Sequence, residues 1–119
     1  MEAWELEFDW LRIRHYVKDS IRGDVLPDLN AILFLIGIQE LGQLRSEFSK
    51  EEKQDLMHIA VCRLMSMDGV YSFEGIDEEG WPHWNQVKTI SKKGEAEQEQ
   101  YLKSLVIRYF DALNKKGNE

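Results

Sequence analysis

Apolar residues recur every three or four positions along most of this chain, the spacing of one face of a helix. The first such stretch runs from about Trp4 to Arg22 and is predicted to stop at Gly23, a residue suited to a left-handed C-terminal cap. A second helix follows Pro27 and ends at Gly42, with Asp28 near its positive N-terminus. Its interior, "LNAILFLIGI", is apolar on nearly every side, which predicts a central helix at about 28–42 that the others surround. Helix three has the sharpest start: Ser49 and Glu52 in "SKEE" are spaced as a capping box, and the helix is predicted to reach about Met67.

The stretch "EEGWPHWNQVKTISKKG" reads as a short fourth helix, with Pro82 in its first turn, Lys92 and Lys93 at its negative end and Gly94 to stop it. A fifth, at about 95–114, carries Tyr101, Leu102, Leu105, Val106, Tyr109, Phe110 and Leu113 at helical spacing. The expected fold is therefore all-α: a small bundle of about five helices. An irregular insert rich in glycine, acid and aromatic residues interrupts it at about 68–80, where "VYSF" has the character of a short extended piece, open to pairing with a second chain. With 119 residues, the prior is a single domain spanning 1–119.

Helix one carries more apolar surface than one docking contact requires. At about 100° per residue, Leu6, Trp10, Ile13, Val17 and Ile21 form one stripe. Trp4, Phe8, Leu11 and His15 form a second, separated from the first by Glu7, Arg14 and Lys18, while Glu2, Glu5, Asp9, Arg12 and Asp19 mark a solvent face. Either the helix lies in a groove and buries both stripes, or the second stripe meets another chain. Contiguous exposed apolar surface commonly marks an interface, and a two-fold homodimer is the default assembly. Trp4, Phe8, Leu11 and His15 are thus the candidate interface.

Composition narrows the partners. Hydrophobic residues make up 43% and charged residues 31%, as in ordinary globular proteins. The net charge of −7, with no basic run longer than Lys92-Lys93 or Lys115-Lys116, argues against nucleic acid and anionic membranes. The longest apolar segment, Ala31 to Ile38, is far short of the roughly 20 residues a membrane span needs. The acidic N-terminal stretch "MEAWELEFDW" is unlike a secretory signal, and the single Cys62 points to a reducing compartment. A cytoplasmic location is expected.

Little in the sequence points to catalysis. His58 and Cys62 share a helix face, and Asp55 precedes His58 by three, but neither His15 nor His83 has an acid three residues before it. A zinc site needs three or four protein ligands, so no metal and no cofactor are expected. Cys62 lies mid-helix in "HIAVCRLM", a setting that keeps a thiol inert. No phosphate loop, nucleophile elbow or dinucleotide pattern is present, and no catalytic residue is assigned. A calcium loop from Asp68 to Glu79 fails because its sixth position is Phe73 where the turn needs glycine.

The insert mixes Asp68, Glu74, Asp77, Glu78 and Glu79 with Tyr71, Phe73, Trp81 and Trp84. Carboxylates and aromatic faces both attract cations. Tyr71, Phe73, Glu74, Asp77, Trp81 and Trp84 are accordingly the candidate ligand-binding set, and a small cationic group is the ligand they suit. The competing reading makes the insert a connector, with its glycines in turns and its tryptophans packed beneath. Two functional expectations follow. The first is a non-catalytic interaction module that self-associates through helix one. The second is a small-molecule or cation pocket under the insert, with enzymatic activity left open.

Overall fold

A computed structural model describes residues 2–43, 45–91 and 94–117. Among these the chain forms four α-helices and one two-stranded antiparallel sheet, and it is 63% helical. The five-helix, all-α expectation is overturned: the segment predicted as a fourth helix is the second strand of a hairpin. The chain divides into two compact units, Met1–Leu29 with Lys92–Glu119, and Asn30–Ser91.

In the first unit, α1 (Ala3–Ile21) packs against α4 (Glu95–Gly117). Trp10, Ile13 and Val17 of the first stripe are buried, as are Leu105, Val106, Ile107 and Tyr109 of α4. Tyr16 and Phe110 meet edge to face at 5.9 Å, and the Lys103 ammonium lies 5.5 Å from the Trp10 ring. Arg12 grips the Asp111 carboxylate with two hydrogen bonds of 3.1 Å, and the Arg14 guanidinium donates to the Pro27 carbonyl at 2.8 Å. The left-handed cap of α1 is Arg22 (φ 55°), not Gly23, whose amide instead closes the helix on the Lys18 carbonyl. The predicted stop is one residue late.

The second unit holds α2 (Leu29–Leu41) from its second residue on, α3 (Lys50–Ser66) and the hairpin β1 (Tyr71–Ile76) and β2 (Pro82–Gln86). α2 and α3 approach backbone to backbone at Gly37, where a Cβ would fall 2.2 Å from the Leu56 carbonyl oxygen. Leu41, Leu56 and Ile59 form a core cluster, with Phe34, Ile38, Phe48 and Trp81 packed on it. The capping box at the start of α3 is present in both halves: the Ser49 hydroxyl accepts from the Glu52 amide, and the Glu52 carboxylate accepts from the Ser49 amide.

The hairpin explains the misread helix. Tyr71 pairs with Gln86, Phe73 with Trp84 and Ile76 with Pro82, and a bulge between Phe73 and Gly75 is carried by Gly75 at φ 126°. Pro82 sits at the first position of β2, where a missing amide is tolerated, so it opens a strand as readily as a helix. The "VYSF" piece is extended, but its partner is the chain's own β2. Lys92 and Lys93, the expected end of helix four, lie outside the described residues. No helix among the described residues is long and apolar enough to cross a membrane.

Candidate functional site

α3 and the hairpin enclose a cleft of about 430 Å³ within the second unit. Glu52, Asp55, His58, Ile59 and Cys62 line one wall, at the three- and four-residue steps that place side chains on one helix face. Asp77, Glu79, Trp81, Pro82, His83 and Trp84 line the other. The cleft is of the size of small-ligand sites, which run from roughly 300 Å³ upward.

Asp77 organises the hairpin wall. One of its oxygens accepts the amides of Glu79 (2.9 Å) and Trp81 (3.0 Å), shaping the turn, and the other lies 2.8 Å from His83 Nε2. The bond to His83, reinforced by the Trp81 amide, holds this carboxyl below its ordinary range. The turn closes with the Asp77 amide donating to the Trp81 carbonyl and Gly80 at φ 90°. The Gln43 amide donates to the Glu79 carbonyl at 2.9 Å, which anchors the turn to the segment after α2.

On the helical wall, the Arg45 guanidinium grips Glu52 at 2.8 and 3.0 Å. That contact, with the Ser49 amide, pulls the Glu52 carboxyl down to about 2. Asp55 and Glu79 are the two lining acids with no ion pair among the described residues. Cys62 lies 3.5 Å from His58 Nε2, yet burial pushes its thiol up to about 11, so it stays protonated near neutral pH. A protonated, buried thiol is no nucleophile. Among the described residues no three histidine, cysteine or acid side chains are grouped to hold a metal ion. The Trp84 indole N–H is buried and has no acceptor among the described residues.

Of the predicted ligand-binding set, Asp77, Trp81 and Trp84 line the cleft. Tyr71 does not; its ring stands edge-on to His58 at 6.3 Å. Phe73 is half exposed and covers Trp84 at 5.3 Å, and Glu74 is exposed away from the lining. Sequence reasoning missed Glu52, Glu79 and His83 as wall residues, and had His58, Cys62 and Asp55 together only as a metal fragment. The one available signal was their shared helix face.

The predicted interface residues form a separate surface on α1. Trp4 is 69% exposed, Phe8 67% and Leu11 44%, and His15 is exposed as well. Within this structure the second stripe is therefore not core. Compared with protein-family models, curated proteins and solved structures, the chain matches none.

Proposed function

We propose that the protein works by binding rather than by catalysis, and that its principal surface is the second stripe of α1, which receives a second copy of the chain. The observation that carries this reading is the exposure of Trp4, Phe8 and Leu11 in a row on a helix whose opposite face is already buried. Large aromatics at the solvent boundary are characteristic of interface centres. The net charge of −7 turns the choice of partner away from nucleic acid and anionic membranes. A reducing, cytoplasmic setting suits a chain whose single thiol is buried.

Light scattering tests the reading. The wild-type mass should double as concentration rises to about 100 µM, the range where a contact of modest area associates. Phe8→Glu should return it to the monomer with an unchanged thermal melt. A wild-type chain that stays monomeric refutes the proposal.

A second reading is favoured by the cleft itself. Its lining has four carboxylates and two tryptophans and neither lysine nor arginine, a setting for an ammonium or guanidinium group. A cation against an aromatic face gains about 0.5–2 kcal/mol, enough with a carboxylate for millimolar to micromolar binding. Tryptophan fluorescence during titration with a primary amine should saturate, and Asp77→Asn should weaken the response. A flat titration excludes this ligand class.

A further inference from the structure

The stripe steps four, three, four along α1, from Trp4 to Phe8 to Leu11 to His15. This is the spacing of a coiled-coil seam, in which the residues flanking the seam set the orientation of the partner helix. The flanks of α1 are sharply polarised. Its first half carries Glu2, Glu5, Glu7 and Asp9 and no base, while Arg12, Arg14, Lys18 and Arg22 follow Leu11, with Asp19 the one acid among them. Acids first and bases last suit the helix's own dipole. They also set the acidic half of one copy against the basic half of another when the two helices run antiparallel.

We propose that α1 pairs with α1 of a second copy antiparallel about a two-fold axis between Phe8 and Leu11. This rests on the reading of the stripe as the self-association surface. In that register Trp4 faces the partner's His15 and Phe8 faces the partner's Leu11, so a large side chain meets a smaller one at every level. On the flanks Glu5 meets the partner's Arg12 and Glu7 meets the partner's Arg14, each contact occurring twice by symmetry. A parallel pair brings Glu7 near the partner's Arg12 and Arg14 near the partner's Asp19, but it sets the acidic half on the acidic half, stacks His15 on the partner's His15, and leaves Glu5 with no base.

Glu5 and Glu7 make no ion pair among the described residues. Arg14 donates to the Pro27 and Leu26 carbonyls, which leaves three of its five donors for the partner's Glu7. Arg12 spends one N–H on Asp9 and two on Asp111, which leaves two of its five donors for a third carboxylate. A seam this short would not hold two isolated peptides together, because ordering the helices costs too much. Here α1 is already fixed by Trp10, Ile13 and Val17 in its own unit, so only docking remains to be compensated.

Nitroxide labels on Lys18→Cys, three residues beyond His15 at the end of the seam, test the orientation without altering Trp4, Phe8, Leu11 or His15, and native Cys62 is buried and unreactive. The antiparallel pair separates the two labelled backbones by roughly 25 Å along the helix axes, from 1.5 Å per residue. A parallel pair brings them within about 10 Å, the spacing of packed helices. In the same samples Glu5→Lys should raise the dimer dissociation constant about three- to tenfold, the effect of setting like charges against each other in two exposed pairs. A dimer with close labels that ignores Glu5→Lys overturns the antiparallel arrangement and leaves the stripe reading standing. A wild-type chain that remains monomeric overturns both.

Discussion

Gly37→Ala is the substitution most directly governed by the geometry of the second unit. The added methyl would lie 2.2 Å from the Leu56 carbonyl oxygen, 2.6 Å from its carbonyl carbon and 2.9 Å from its Cβ. Two of these atoms are backbone in the middle of α3, so no rotamer change relieves the contact. α2 and α3 would have to separate by about 1 Å to reach ordinary contact distance, which opens the cluster of Leu41, Leu56 and Ile59. Overpacking of this kind costs about 1–3 kcal/mol, and rigid backbone puts Gly37 at the upper end. Alanine returns about 1 kcal/mol through its better helix propensity.

The net expectation is a loss of about 2 kcal/mol, equivalent to a fall in melting temperature of roughly 8 °C for a chain of this size. Urea unfolding followed by far-ultraviolet circular dichroism measures it: the midpoint should drop with the slope unchanged. Gly42→Ala is the control, because nothing lies within 4 Å of its added methyl and only its φ of 70° opposes the change. A Gly37→Ala protein as stable as wild type would show that the close approach of α2 to α3 is not a constraint on the fold.

Arg22→Gly should stabilise the first unit by about 0.5–1 kcal/mol, because the left-handed cap then carries no side-chain penalty; a lower melting temperature would refute this. The depressed Glu52 carboxyl stabilises the fold above about pH 4.5, where it is ionised in both states, and loses that contribution as pH falls through about 2. Asp77 acts in the same sense. The melting-temperature advantage of wild type over Glu52→Gln should therefore be full at pH 5 and gone near pH 2, and a pH-independent difference would count against the Arg45 contact as its origin. Cys62, with its thiol at about 11, should resist a thiol reagent at pH 8 until the chain unfolds; prompt labelling would mean that the α3 wall is open.

What could be read from the sequence was local. The start of α3 needs only Ser49, Glu52 and the helix they cap, all within four residues, and the structure has the reciprocal bonds in place. The two stripes of α1 were legible because helix periodicity alone sorts Trp10, Ile13 and Val17 from Trp4, Phe8 and Leu11. Whether the second stripe was core depended on what lies beside it, which periodicity does not contain. At Arg22 the sequence signal favoured the glycine next door. The chain closes one residue earlier because the Gly23 amide reaches the Lys18 carbonyl only with Arg22 in the left-handed region.

The hairpin failed for a different reason. Acids, a proline and then a glycine are helix punctuation, but the same residues punctuate a hairpin. Asp77, Glu78, Glu79 and Gly80 form a turn whose first side chain accepts the amides of Glu79 and of Trp81 just after it, and that arrangement competes directly with a helix start. Tertiary packing decides between them. As a strand, β2 places Trp84 opposite Phe73, while Trp81, just before it, packs on the Leu41 cluster; a helix at the same positions would lose the ladder with Tyr71–Ile76. The same turn that overrode the helix carries Asp77 and Glu79 to the face of α3 bearing Asp55 and His58. The cleft is thus a product of the hairpin. Its two walls are separated in sequence by the end of α3, the turn after it and β1, so no spacing within either one announces the other. Only the pairing of β1 with β2 brings them together.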